Sequence, residues 1–250
     1  MLKSVLPMPI GASLTEEGTF FRVWAPDRRH VKVLLDEPVA LEPEGNGYFS
    51  ALVPGVGAGT RYAFLLDDDE TAWADPASRF QPEGPEGPSE VVDPAFAWTD
   101  GGWPGLSRRG QVIYEMHVGT FTPEGTWAAA AEHLPRLADL GITVIEMMPV
   151  ADFFGRFGWG YDGVNLFAPT RLYGRPDDLR RFVDRAHALG MGVILDVVYN
   201  HIGPRGNPLP AFTRRYFTDR YQCEWGEAIN FDGPDAAPVR EYFIQNAAYW

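Results

Sequence analysis

The chain has 250 residues, a formal net charge of −13 and a hydrophobic fraction of 45%, a composition typical of globular proteins with a sizeable core. Its 34 acidic residues against 21 basic ones argue against a nucleic-acid partner, because phosphate backbones require a basic surface. The single cysteine excludes an internal disulfide. Charges interrupt every apolar run, so no membrane partner is expected, and residues 1–9 lack the apolar stretch of a signal peptide. These features predict a cytoplasmic protein.

The first part of the chain predicts a β-sandwich. Runs rich in β-branched and aromatic residues alternate with turn residues at 19–25, 31–35, 48–53 and 61–66. In the last run Tyr62, Phe64 and Leu66 fall on one face, as in a strand with one buried side. Several short strands with short turns indicate a sandwich domain over residues 1–93.

The segment 81–90 has the sequence QPEGPEGPSE, which is rich in proline and glycine. Such a sequence forms neither a helix nor a central strand. We therefore predict either an interdomain linker or an extended segment that lies along another surface.

Strands and helices alternate after Gly110. The pattern predicts strands at 111–118, 142–150 and 192–199, helices at 126–140 and 177–189, and, after a long loop, a helix from Pro238 onward. Pro135 is expected to kink or split the first helix. The third strand has apolar residues in successive positions, as in a sheet covered by helices on both faces. This order fits a doubly wound sheet or a (β/α)8 barrel.

Polar residues at the strand ends favour the barrel for residues 94–250, because barrel enzymes keep their chemistry there. No glycine-rich nucleotide fingerprint opens a helix after a strand. Glu115 and Glu146 lie within apolar strands, where a carboxylate is normally paired and orients its neighbours. Asp196, Asn200 and His201 follow one strand together, and packing alone does not explain three polar groups there.

The segment 196–201, DVVYNH, resembles the first conserved motif of the α-amylase superfamily, glycoside hydrolase family 13. Further segments are similar to its trehalose-releasing members: 75–82, 87–89, 114–121, 146–149, 159–165 and 243–247. The resemblance extends along essentially the whole chain. It implies a β-sandwich followed by an incomplete (β/α)8 barrel.

The resemblance also implies which residues bind the sugar. The histidine that matches His201 would hydrogen-bond the sugar just before the cleaved bond, and Tyr161 would be its stacking platform. Trp159 and Asp162 flank Tyr161 and are expected to bind substrate with it. An aromatic face buries the apolar side of a glucose ring while polar neighbours bind its hydroxyls.

Four further residues are expected to support the site: Asp196, Asn200, Glu146 and His117. In many amylases the equivalent of Asn200 helps to bind calcium, but the excursion 202–235 shows no carboxylate cage, so no calcium site is predicted. No other cofactor is implied.

The implied reaction is retaining hydrolysis of the α-1,4-glucosidic bond next to the terminal trehalose unit of maltooligosyltrehalose. It requires two carboxyl groups about 5–5.5 Å apart, which the family places on the fourth and fifth barrel strands. Three strands are predicted here, so the nucleophile and the acid/base are expected beyond residue 250, in a missing C-terminal portion of the barrel. The 250-residue chain alone is expected to be inactive. Two alternatives stay open: a glycogen branching or debranching enzyme, and a non-catalytic α-glucan-binding protein.

Overall fold

A computed structural model describes residues 9–250, and the signal-peptide prediction, which concerns the first residues, lies outside them. The N-terminal part is an antiparallel sheet of seven strands in the order β1-β2-β5-β4-β3-β6-β7. Its strands are β1 (Gly11–Leu14), β2 (Gly18–Trp24), β3 (Val31–Leu34), β4 (Pro38–Gly45), β5 (Tyr48–Pro54), β6 (Arg61–Leu66) and β7 (Ser89–Glu90). The four predicted strands correspond to β2, β3, β5 and β6.

Strand β4 divides its pairing between two neighbours. Its first half pairs with β3, from Pro38 to Leu41, and its second half pairs with β5, from Glu42 to Gly45. This strand was not predicted, because PVALEPEG contains two prolines and shows no clear alternation of apolar and polar residues.

The remaining chain alternates strands and helices, as predicted. The elements are β8 (Ile113–Met116), α1 (Val118–Phe121), α2 (Trp127–Asp139), β9 (Val144–Met147), β10 (Ala151–Asp152), β11 (Asn165–Pro169), α3 (Pro176–Ala188), β12 (Gly192–Leu195), α4 (Leu209–Phe212), β13 (Phe217–Cys223), β14 (Gly226–Ile229) and α5 (Ala236–Tyr249). Strands β8, β9 and β12 form a parallel sheet in the order β12-β9-β8. Among residues 9–250 there is no helix with the length and apolarity needed to cross a membrane.

Helices α2 and α3 cover one face of this parallel sheet. Met116, Ile145 and Met147 point to that face and are buried with Leu134 of α2 and Phe182 of α3. On the other face Ile113 and Ile194 are 52% and 41% exposed. The prediction that the third strand is covered on both faces is therefore wrong for the part of the chain that the structure describes.

The ends of both helices follow from local hydrogen bonds. Thr126 Oγ1 accepts a hydrogen bond from Ala129 N at 3.3 Å where α2 begins. Asp178 Oδ2 accepts from Arg175 N at 2.7 Å at the start of α3. Helix α2 runs through Pro135 without being split, because burial of Leu134 and Leu137 against the sheet stabilises it.

The excursion between β12 and α5, predicted as a long loop, contains α4 and the hairpin of β13 and β14. The hairpin was not predicted because β13, FTDRYQC, has mostly exposed and polar residues. Helix α4, in contrast, carries two fully buried residues, Leu209 and Phe212.

The excursion packs against the N-terminal sheet. Phe212 lies in the core of that sheet, with its ring edge-to-face to Phe64 at 5.8 Å. Trp24 of β2 contacts Tyr216 in the same geometry at 5.0 Å. The two halves therefore share buried apolar surface, and the division at residue 93 stays a prediction.

The segment 81–90 consists mainly of turns, since Gly84 N donates to Gln81 O and Gly87 N donates to Gly84 O, and its description as a linker or an extended segment stays a prediction. Gln81 is buried, and its Nε2 donates to three carbonyl oxygens of the segment, those of Gly84, Pro85 and Gly87, at 3.1–3.3 Å. Its last residues, Ser89 and Glu90, form β7 beside β6.

The position of Phe212 yields a stability prediction. We expect Phe212→Ala to lower the free energy of unfolding by about 3–5 kcal/mol, because it leaves a cavity in the sheet core. Urea denaturation measures the change. Phe157→Ala is the control, since Phe157 is 86% exposed and its truncation should change the free energy of unfolding by less than about 0.5 kcal/mol. Equal effects of the two substitutions would contradict the packing described.

Candidate functional site

The ends of the three parallel strands lie in register at one edge of the sheet. Glu115 of β8 lies directly beside Glu146 of β9. The ladder continues past the strands, since Asp196 N donates to Met147 O at 2.9 Å. Glu115, Glu146 and Asp196 therefore stand on the same sheet face, the one that α2 and α3 leave open.

An aromatic loop, residues 153–163, follows β10 and passes over this edge. The C-terminal end of the loop lies in close contact with two other backbone segments, one at Pro149 and one at Gly203. A Cβ on Gly160 would lie 2.1 Å from the carbonyl oxygen of Pro149, and a Cβ on Gly203 would lie 2.0 Å from that of Asp162. Gly203 N also donates to Gly163 O at 3.0 Å. Only glycine permits both approaches.

This close approach joins three of the predicted residues. The Tyr161 hydroxyl donates to Asp196 Oδ2 at 3.0 Å. His201 Nε2 lies 2.8 Å from Tyr161 O, so Nε2 donates a hydrogen bond to that carbonyl. His201 is buried, and its Nδ1 has no hydrogen-bond partner among residues 9–250. The backbone and the side chain of Tyr161 are thus both fixed.

Partial burial, the hydrogen bond to Asp196 and the charges of Asp196, Glu115 and Glu146 all raise the pKa of the Tyr161 phenol. The phenol therefore stays protonated and donates to Asp196. The ring itself is 40% exposed, so one of its surfaces is available to a ligand.

His117 binds the middle of the aromatic loop. Its Nε2 lies 2.9 Å from Gly158 O and its Nδ1 lies 3.1 Å from Thr120 Oγ1. The Tyr173 hydroxyl is 3.3 Å from the same Nε2. His117 thus connects the end of β8 to the loop and does not reach Asp196 through any of these contacts.

A cavity of about 510 Å³ lies between His117 and the exposed part of the loop. Trp159 and Phe157 line it and are 78% and 86% exposed. Asp162 follows these rings in the sequence, and its buried Oδ1 has no hydrogen-bond partner in the described part of the chain. Asn200 is exposed, and its carbonyl oxygen lies 4.0 Å from Cys223 Sγ in the hairpin, so its contact is away from the Tyr161 cluster.

Two charged residues that meet at the start of the aromatic loop, Asp152 and Arg171, were not predicted. Asp152 is fully buried, and Arg171 Nη1 donates to its two oxygens at 2.9 and 3.1 Å. Burial raises the pKa of the Asp152 carboxyl to about 6, although Arg171 and Thr170 favour the charged form. Nothing in the sequence ADFF or PTRLYG marks either residue as paired.

Within residues 9–250 no group of three or more His, Cys, Asp or Glu side chains is arranged to hold a metal ion.

Comparison with known proteins assigns the chain to a family. The family description "Alpha amylase, catalytic domain" matches residues 78–246. The chain belongs to the alpha-amylase family, and this part of it has the (β/α)8-type fold predicted from the sequence.

Individual relatives show which members of this family the chain resembles. The chain is 44% identical over 245 residues to the malto-oligosyltrehalose trehalohydrolase of Saccharolobus solfataricus, covering 97% of this chain and 43% of the relative. It is 48% identical over 246 residues to that of Deinococcus radiodurans, covering 98% and 39%. A crystal structure of a putative alpha amylase from Salmonella typhimurium matches with a TM-score of 0.92 and 45% identity, covering 96% of this chain and 41% of the other. The chain thus spans about 40% of the length of these proteins.

The pKa of Asp152 predicts a pH effect on stability. A carboxyl whose pKa rises from 3.8 to about 6 on folding binds its proton more tightly in the folded chain, so the folded state gains stability as the pH falls through 6. Between pH 7 and pH 5 we expect the unmutated chain to gain about 1 kcal/mol relative to Asp152→Asn.

Urea denaturation at the two pH values measures this gain. Asp68→Asn serves as the control, because the Asp68 side chain is 89% exposed and its removal should leave the pH dependence unchanged. A constant difference between the unmutated chain and Asp152→Asn would contradict the raised pKa.

Proposed function

We propose that this chain forms part of a retaining glycoside hydrolase that cleaves the α-1,4-glucosidic bond next to the terminal trehalose unit of maltooligosyltrehalose and releases trehalose. The identity of 44% and 48% to two malto-oligosyltrehalose trehalohydrolases over nearly the whole chain carries this proposal. Because the chain spans 43% and 39% of those relatives, the activity is proposed for a polypeptide of their full length.

Tyr161 and Trp159 are the proposed platforms for the glucan. Tyr161 is fixed by Asp196 and by His201 and offers a partly exposed ring, which suits stacking on a sugar at low cost in conformational entropy. Trp159 offers a larger exposed ring beside the cavity near His117.

His201 and Asp162 are proposed as the polar groups of the same site. The Nε2 of His201 is bound to Tyr161 O, so contact with a sugar hydroxyl would use Nδ1 or require that bond to break. Nδ1 of His201 and Oδ1 of Asp162 are both buried and have no hydrogen-bond partner among the residues that the structure describes, and an unpaired buried polar atom gains free energy when a hydrogen-bond partner reaches it.

The supporting roles are proposed as follows. Asp196 orients the Tyr161 ring through its hydroxyl, and Glu146 adds negative charge beside it. His117 fixes the loop at Gly158. Asn200 would support the excursion that begins after it.

We propose that this chain alone has no glycosidase activity. A retaining mechanism needs one carboxyl group as the nucleophile and a second one as the acid/base. Asp196 is bonded to Tyr161, while Glu115 and Glu146 lie side by side within the sheet. The proposed partner for catalysis is the C-terminal portion of the barrel, and neither nucleic acid nor a membrane is a proposed partner.

Two finer features belong to the same proposal. The N-terminal sheet is proposed to be the predicted β-sandwich, which the division of β4 between β3 and β5 supports. The single cysteine supports a place in the cytoplasm, and the likeness to malto-oligosyltrehalose trehalohydrolases supports a role in trehalose biosynthesis.

Glucan binding tests the platform. We expect the chain to bind maltoheptaose, and we expect Tyr161→Ala and Trp159→Ala each to raise the Kd about tenfold, or about 1.4 kcal/mol, in isothermal titration calorimetry. Trp98→Ala is the matched control, since Trp98 is 47% exposed and lies outside the aromatic loop. An equal loss of affinity in the control would argue against the platform.

Product analysis tests the reaction. We expect no trehalose from maltotriosyltrehalose with the chain alone, and trehalose release when it is fused to the unmatched C-terminal part of the Deinococcus radiodurans relative. Trehalose from the chain alone, abolished by Asp196→Asn, would overturn the proposed inactivity.

The fusion separates the alternatives. New α-1,6 branches, or debranched chains, would support a branching or debranching enzyme. Binding without hydrolysis by a folded fusion would support a glucan-binding protein.

A further inference from the structure

The aromatic loop is bound to the rest of the chain at several points along its length. His201 contacts its C-terminal end at Tyr161 O, and His117 contacts its middle at Gly158 O. The Arg205 guanidinium lies 3.4 Å from the centroid of the Phe154 ring. Arg205 thus contacts the start of the loop through a side chain, and the backbone of these first residues makes separate contacts.

Arg171 makes the contacts at the N-terminal end. Besides its two bonds to Asp152, its Nη1 lies 3.4 Å from Phe153 O and its Nη2 lies 3.3 Å from Gly155 O. One guanidinium thus binds a buried carboxylate and two loop carbonyls at once, which its planar set of donors allows.

The segment 81–90 backs this guanidinium. Gly84 is buried with φ +98°, and a Cβ at this position would lie 3.1 Å from Arg171 Cζ and 3.2 Å from Nη2. The same segment contacts the chain after His201, because a Cβ on Gly206 would lie 2.8 Å from Pro85 Cβ. The proline- and glycine-rich segment therefore touches both sides of the site.

We propose that Arg171, bound to Asp152 and backed by Gly84, is a positioning residue that sets the conformation of the aromatic loop for glucan binding. This inference rests on the proposed function for its ligand. Arg171 touches no sugar-binding side chain and acts through the loop backbone. The segment 81–90 thereby gains a role in substrate binding as the support of Arg171.

Hydrogen exchange of the aromatic loop, followed by mass spectrometry, tests the proposal. We expect Arg171→Lys to accelerate amide exchange in residues 153–163 at least tenfold, because an ammonium cannot replace all four contacts. Exchange in α2 should not change. The Kd for maltoheptaose should rise about fivefold in the same variant.

A second variant tests the contact between Gly84 and Arg171. Gly84→Ala should also accelerate exchange in the loop, since its Cβ requires the guanidinium to shift by a few tenths of an ångström. Gly45→Ala is its control, because Gly45 has a nearly equal φ of +96° and no atom of residues 9–250 lies within 4 Å of a Cβ there. For Arg171→Lys the control is Arg215→Lys, because Arg215 pairs with Asp27 and Asp235, which lie outside both the aromatic loop and the segment 81–90.

Unchanged loop exchange in Arg171→Lys and Gly84→Ala would overturn the proposal. Equal acceleration in the loop and in α2 would also overturn it, since Arg171 would then serve only global stability. Failure of the unmutated chain to bind maltoheptaose would instead contradict the proposed function, while the exchange rates still decide whether Arg171 positions the loop.

Discussion

The contact of three backbone segments at Gly160 and Gly203 determines where the site residues lie. The chain after β9, the end of the aromatic loop and the chain after β12 approach so closely that a Cβ at either glycine would meet a carbonyl oxygen near 2 Å. Tyr161 follows Gly160, and His201 precedes Gly203 by two residues. Asp196 directly follows β12. Their convergence is a consequence of backbone contact, and the side-chain hydrogen bonds then fix the details.

The N-terminal sheet contributes to the same arrangement through a buried polar network. Tyr62 Oη donates to Asp75 Oδ2 at 2.7 Å, and Asp75 N donates to Ser89 Oγ at 3.1 Å. The side chains of Asp75 and Ser89 are fully buried. Asp75 precedes the segment 81–90, and Ser89 lies near its end. This network therefore fixes the end of the segment 81–90, at Ser89, relative to strand β6.

The sequence was sufficient for the elements that bury a regular apolar pattern. Helix α3 was predicted within one residue at each end, because Asp177 and Gly190 mark its ends and Leu179 and Phe182 mark its buried face. Strand β13 was not predicted, because exposed polar strands lack a periodic pattern. The ends of parallel strands meet at one edge, so the clustering of Asp196 with Glu146 could also be expected. The pairing of Asp152 with Arg171 could not be expected, because a single charged pair that is distant in sequence produces no periodic pattern of burial.

Much of the aromatic loop is held through its backbone. The carbonyls of Phe153, Gly155, Gly158 and Tyr161 make its contacts with Arg171, His117 and His201. The side chains of Phe157 and Trp159, by contrast, are exposed. Replacing these two side chains therefore changes the surface of the proposed glucan site without disturbing the contacts that shape the loop. In evolution, preference for a ligand can then vary at these positions while the fold of the site stays constant.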